Sequence, residues 1–352
     1  MNHQVTPEAI HLCDDSVKLS DRITRLIEQY HSIVPPLCVE RARLLTETYR
    51  QTESKPHALR RALSLENILN QSINLIASMP TMMVNAYQMK RRYYDKQSMF
   101  FHLPKPGQST AEHILSTYRP DQKFTHEEAK LLDMCLLVHA DHGGGNCSTF
   151  TTRVLSSSGT DTYAAISAAI GALKGPKHGG ANAKVGAMIE DASENIEDWT
   201  DEDQVAAYLT EVVSGRGFDG SGLIYGLGHA VYTLSDPRAV IIKKYARKLA
   251  REKGRDDKLA LLENIEKLGP EVMRDVRGVT KPICANIDLY TGFVYSMLGI
   301  PADMYTSIFA MARLAGWCAH RMEELYGAGR IIRPAYNSIM GNGDYVPMSE
   351  RK

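Results

Sequence analysis

Apolar residues recur at three- and four-residue spacing through most of this chain, and the elements they predict are helices. Between 306 and 326 they fall at Ile308, Met311, Ala315, Cys318, Met322 and Leu325, and Gly327 closes the run. Between 127 and 139, Leu131, Leu132, Cys135, Leu136 and Val138 mark a second helical face. The stretch 162–173 is apolar nearly all round and stops at Gly175-Pro176, which predicts a helix buried on several sides. No six residues alternate with period two, so the expected fold class is all-α. Pro104-Lys105-Pro106-Gly107 predicts a loop, and the glycine-rich stretch 216–228 a hinge or ligand loop. The acidic stretch 190–203 reads as a solvated face and turn.

Composition narrows the class. At 352 residues the chain exceeds what one core usually fills, so two domains are expected. Lys+Arg and Asp+Glu balance at 41 each, which removes the electrostatic case for nucleic acid or an anionic membrane as main partner. A local cluster, Lys90-Arg91-Arg92, remains able to hold a phosphate-bearing ligand. The six cysteines include no Cys-x-x-Cys pair, which argues against a zinc knuckle or disulfide scaffold and fits a reducing compartment. The first eight residues show no signal-peptide pattern, and no apolar run approaches the roughly 18 residues of a membrane span. A cytoplasmic protein is expected.

Three segments carry candidate chemistry: Lys177-His178-Gly179-Gly180-Ala181-Asn182, Gly226-Leu227-Gly228-His229-Ala230-Val231 and Asn286-Ile287-Asp288-Leu289-Tyr290-Thr291-Gly292. Each sets one titratable residue in a turn-like setting where backbone approaches a ligand closely. Two imidazoles and a carboxylate suffice to take a proton from carbon while polarising a carbonyl. His178, placed just before a predicted helix, is expected to stay neutral near the positive end of the helix dipole. Asp236 as N-cap and Pro237 at the first helical position put Arg238 in a first turn, where a carboxylate binds well. Each residue taken singly has an ordinary alternative: a capping or core histidine, a surface ion pair for Arg238, an N-cap for Asp288. His139-Ala140-Asp141-His142 has the spacing of a metal motif but no third ligand, so no metal is expected.

In order and spacing these segments, with His139-Ala140-Asp141-His142 and Arg330-Ile331-Ile332-Arg333-Pro334, resemble the citrate synthase family from about Asn70 onward. The resemblance implies a helical two-domain homodimer with its active site in the cleft. The large domain would span 70–214 and 315–352, and the small domain 215–314. It implies oxaloacetate and acetyl-CoA as substrates, with His178, His229 and Asp288 catalytic. Asp288 would take the methyl proton, His178 would hydrogen-bond the enol oxygen, and His229 would polarise and protonate the ketone. His139, His142, Arg238 and Arg333 would bind oxaloacetate, Arg351 would reach across a dimer interface, and Gly226, Gly228 and Asn286 would contact CoA. No metal or redox cofactor is implied. A 2-methylcitrate synthase using propionyl-CoA is the nearest alternative.

Residues 1–69 stand apart. Residues of about 18–66, with Ser20-Asp21-Arg22-Ile23 and Glu40-Arg41-Ala42-Arg43-Leu44-Leu45, resemble the opening helices of glycyl radical enzymes of the pyruvate formate-lyase type. No glycyl-radical motif follows. The expected opening of a citrate synthase is absent from this segment, which leaves a non-catalytic hybrid as a further alternative.

Overall fold

The computed structural model describes residues 57–352 except Ala230, Ala328, Gly329, Tyr336, 338–345 and Lys352. The described residues are helical, with a single isolated β-bridge, Leu227 to Ala285, and no strand. The helices are α1 (His57–Tyr93), α2 (Thr110–Tyr118), α3 (His126–His139), α4 (Cys147–Ser157), α5 (Thr162–Leu173) and α6 (Ala181–Asn195). They continue as α7 (Glu202–Val213), α8 (Pro237–Lys253), α9 (Asp256–Arg277), α10 (Asp288–Met297) and α11 (Tyr305–Tyr326). The all-α expectation holds, and the predicted helices at 127–139, 162–173 and 306–326 match α3, α5 and α11 to within a residue. None of the described helices is long and apolar enough to cross a membrane.

Local chemistry starts these helices where the polar pattern says. Ser109 and Glu112 close a capping box on α2, and Thr125 and Glu128 do the same on α3. Asp236 caps α8, with Pro237 at its first position. The glycyl-radical-like segment lies outside the described residues up to residue 56. From His57 the chain runs as one helix through the expected break at residue 69.

α11 is the central helix. It packs on α1, α3, α4 and α5, and buries Ile308, Met311, Leu314, Trp317 and Cys318. Its approach to the turn after α3 is close: Gly316 N–H donates to Ala140 O at 3.1 Å, and a Cβ on Gly316 would stand 2.2 Å from that oxygen. This fixes the His139–His142 turn against the core. α5 departs from expectation, because it buries one face through Ala165, Ile166, Ala169 and Leu173 while Tyr163 and Ala168 stay half-exposed.

α8 runs antiparallel to α3. Lys248 pairs with Glu127 at 2.9 Å and Lys253 with Glu128 at 2.5 Å at one end, while the start of α8 meets the turn after α3 at the other. Burial pushes the Glu128 carboxyl up, but hydrogen bonds from Arg119 and Lys253 outweigh it and hold the group at about 2. α10 packs on α6 and α8. α7 lies along α9, so its main partner stands beyond the expected division at 214/215. α7 thereby presents Val205, Leu209 and Val212 to a helix expected in the small domain.

Candidate active site

Two imidazoles meet where the α3–α4 turn faces the loop before α8. His142 Nε2 lies 3.0 Å from His229 Nε2. His229 Nδ1 accepts the backbone N–H groups of Val231 and Tyr232 at 2.9 and 3.1 Å. Nδ1 is therefore unprotonated, and the proton of neutral His229 sits on Nε2. His142 accepts it, which puts the His142 proton on Nδ1. Burial, then Arg238 and His229, push His142 down to about 4, and burial with Arg238 also lowers His229. Both rings are neutral at physiological pH, and His229 presents an N–H donor.

Arg238 stands beside them. Its Nε and Nη2 grip Asp236 at 3.0 and 2.8 Å, and Nη2 comes within 3.4 Å of His229 Nε2. Asp236 is buried and also accepts the Arg238 and Ile287 backbone N–H groups at 3.0 and 3.2 Å. One carboxylate thus aims Arg238 and ties the head of α8 to the head of α10. With the Nε edge taken, Arg238 offers its end-on fork next to the His229 donor. Two such donors side by side suit an oxygen pair on neighbouring carbons, as in a 2-oxo carboxylate.

Sequence reasoning missed Arg313, on α11. It is 2% exposed, its Nε donates to His139 O at 2.7 Å, and its guanidinium stacks on Phe309 at 4.8 Å. Among the described residues no carboxylate pairs with it at ion-pair distance. Burial lowers it to about 10, with Arg238 adding to the effect and Asp141 and Asp288 opposing it. A buried cation without a partner belongs where an anion binds. Its signal in the sequence was the arginine itself, standing inside the apolar face of a helix.

His178 is set by α4. Ser148 donates its backbone N–H to His178 Nε2 at 3.2 Å, and its hydroxyl lies 2.8 Å from the same nitrogen. Trp317 Nε1 and the Asn146 side chain hold that hydroxyl at 3.1 Å each. Nε2 is an acceptor, so His178 carries its proton on Nδ1 as a free donor. Burial and then Arg313 lower its pKa, so the partial burial of the ring takes the place of the helix-dipole argument. Asp288 is the first residue of α10 and does not serve as its cap; Asn286 Oδ1 accepts the Asp288 N–H at 3.0 Å instead. Although partly accessible, its carboxyl is enclosed closely enough that burial pushes it up to about 6, against the pull of Arg238 and the Asn182 amide. A carboxylate so raised is suited to take a proton near neutral pH.

The other expected residues make the following contacts in this chain. His139 is buried, donates from Nδ1 to Cys135 O at 2.8 Å, stacks edge-on against Phe309 and is pushed by burial to about 4. It supports Arg313 through its carbonyl, and the charges of Arg313 and Arg238 add to the lowering by burial. Gly226, Gly228 and Asn286 use their polar groups on one another's loops. Asn286 N–H donates to Gly226 O at 2.8 Å, Gly228 N–H to Cys284 O at 2.8 Å, and Asn286 Nδ2 to Gly228 O at 3.0 Å. Gly226 is required there: its φ is +89°, and a Cβ would stand 3.0 Å from Leu289. These residues brace His229 against Asp288. Arg333 is exposed; Ile332 N–H beside it is fixed to Ser157 Oγ at 3.0 Å, at the end of α4 remote from Ser148. Arg351 is exposed, with Nε on Val346 O at 3.0 Å. Among the described residues no cluster of three metal-ligating side chains occurs.

The family model described as citrate synthase, C-terminal domain, matches residues 7–335. The match takes in most of the N-terminal segment that the sequence reading set outside the family, which corrects that boundary. The chain is 37% identical over 294 residues to a citrate synthase of Synechocystis sp., covering 83% of this chain and 68% of that one. It is 41% identical over 229 residues to a citrate synthase of Deinococcus radiodurans, covering 65% and 56%. It therefore spans little more than half to about two thirds of the length of these relatives. Among solved structures, the ternary complex of carboxymethyl coenzyme A and oxaloacetate with the Thermoplasma acidophilum citrate synthase superposes with a TM-score of 0.67 at 27% identity, covering 99% of this chain and 85% of that one. With the helical fold of its described residues and the family-model match over residues 7–335, this chain belongs to the citrate synthase family.

Proposed function

We propose that this chain condenses acetyl-CoA with oxaloacetate and water to give citrate and CoA. The observation that carries the reading is the convergence of the Arg238 fork with the His229 Nε2–H donor, with Arg313 buried behind them. Oxaloacetate is a 2-oxo dicarboxylate. Its ketone oxygen accepts from His229 while the adjacent carboxylate takes the Arg238 fork, and Arg313 receives the second carboxylate. The His142–His229 hydrogen bond opens as substrate enters, and His142 turns to the substrate.

Asp288 then removes a methyl proton from the thioester, and His178 Nδ1–H hydrogen-bonds the enol oxygen. The enol carbon attacks the ketone carbon, and the alkoxide is protonated from His229. Hydrolysis of the thioester releases citrate and CoA. Every step moves protons and carbonyl electrons, so this reading needs no metal and no redox cofactor. The interdomain cleft, the homodimer, the reach of Arg351 into a partner and a cytoplasmic location belong to the same reading. Mass analysis of the products from a mixture of acetyl-CoA and propionyl-CoA with oxaloacetate tests it. Citrate in excess supports the assignment, predominant 2-methylcitrate moves the acyl preference to propionyl, and neither product removes the activity.

A further inference from the structure

Tyr232, in the loop that leads into α8, is a residue the sequence motifs did not single out. Its ring stands 4.8 Å from the His229 imidazole, centroid to centroid, with the two planes tilted by 34°. The same ring lies 6.0 Å from that of His142 at 32°, and Arg238 Cζ stands over it at 5.6 Å. Two imidazoles and a guanidinium thus share one aromatic neighbour. The backbone of Tyr232 is tied to the same place: its N–H donates to His229 Nδ1 at 3.1 Å, and its carbonyl accepts the Cys284 thiol at 3.5 Å.

Core packing gives no reason for this placement. Val231 and Leu234 in the same loop are 68% and 83% exposed, and among the described residues Tyr232, half-buried, does not join the apolar core. What the ring meets instead are the polar groups at the head of α8. Those groups are already gripped along one edge. His229 is held at Nδ1 by two backbone N–H groups, and Arg238 is held by Asp236 through Nε and Nη2. An edge contact leaves the flat face of each group to be supported by something else. A tyrosine ring does this for both, since imidazoles pair favourably with aromatic rings and a guanidinium is attracted to an aromatic face.

We propose that Tyr232 is a positioning residue for the oxaloacetate site: its ring seats the His229 imidazole and the Arg238 guanidinium together, so that the two donors keep their spacing when the His142–His229 hydrogen bond opens. The inference rests on the reading of His229 and Arg238 as the oxaloacetate donors. In the ligand-free protein His142 occupies His229 Nε2–H and steadies it from the front. Substrate takes that place, and the support that remains is the one from Tyr232.

The test compares Tyr232→Phe, which keeps the ring, with Tyr232→Leu, which keeps apolar bulk and loses the ring. Calorimetric titration gives the Kd of oxaloacetate. In Tyr232→Leu two freed side chains must be ordered again on binding, which weakens oxaloacetate about tenfold. Tyr232→Phe binds as wild type, and the KM for the thioester at saturating oxaloacetate stays the same in both variants. A second readout needs no ligand: the His229 Nε2–H proton, followed by NMR in protein carrying nitrogen-labelled histidine and assigned through His229→Gln. It exchanges slowly with water in wild type and Tyr232→Phe, and faster in Tyr232→Leu. Unchanged oxaloacetate affinity in Tyr232→Leu overturns the inference, whatever happens to the melting temperature. Equal loss of affinity in Tyr232→Phe also overturns it, because the role would then belong to the hydroxyl. If Tyr232→Leu does not fold, Tyr232→Met decides in the same way. A wild-type protein that binds no oxaloacetate refutes the proposed function instead, and exchange of the His229 proton then decides whether Tyr232 holds that ring.

Discussion

Replacing Arg313 by leucine separates a binding residue from a structural one. In the ligand-free protein the guanidinium is buried and faces no carboxylate at ion-pair distance, and burial lowers it to about 10. Keeping it charged at neutral pH therefore costs the folded state about 3 kcal/mol, at 1.36 kcal/mol per unit. Leucine removes that cost but also the Nε hydrogen bond to His139 O, worth about 1–3 kcal/mol in a buried setting. The two nearly cancel, so the melting temperature of the ligand-free variant is expected to stay within a few degrees of wild type. Oxaloacetate affinity behaves otherwise. Loss of charge-assisted hydrogen bonds to a substrate carboxylate costs about 3 kcal/mol, or roughly a hundredfold in Kd. Calorimetric titration of oxaloacetate and melting with and without it read both quantities. A variant that melts far below wild type yet binds oxaloacetate normally would refute this account of Arg313.

Asp288→Asn is expected to lower kcat by about 10²–10⁴ with oxaloacetate binding kept, read by steady-state kinetics and calorimetry. With Asp288 as the proposed base and burial pushing its carboxyl up to about 6, kcat/KM for the thioester should be level above that pH and fall about tenfold per unit below it. Glu128→Gln leaves Arg119 and Lys253 facing a neutral group at the α3–α8 contact and should cost about 3–5 kcal/mol in chemical denaturation. The folded-state pKa of Glu128 is depressed, so its contribution is present above the ordinary glutamate range and is lost as pH falls toward about 2; the difference between wild type and Glu128→Gln should shrink over that window.

The helical class, the spans of α3, α5 and α11 and the start of α8 were legible because hydrophobic period, glycine stops and an Asp-Pro start act locally. The Asp236-Pro237 start of α8 was visible for that reason, and the structure added only that Asp236 also holds Arg238 and Ile287. His142, His178, His229, Arg238 and Asp288 were visible as motifs. Their tautomers were not, because those depend on Ser148, Val231 and Tyr232, whose backbone N–H groups choose the protonated nitrogen. Arg313 stayed hidden because an amphipathic reading assigns arginine to the solvent side; α11 instead exposes Ala315 and buries Arg313 beside Leu314 and Trp317. Arg333 was singled out by resemblance alone. An Arg-Pro motif marks a carboxylate site by resemblance, while the path of the chain past Ser157 is set by tertiary packing that no local pattern encodes.

The central claim is the condensation itself, and release of CoA thiol from acetyl-CoA by the purified chain, with and without oxaloacetate, tests it most directly. The account predicts release that depends on oxaloacetate and that falls with Asp288→Asn. Release that proceeds equally without oxaloacetate, or none from a folded protein that binds it, would contradict the account.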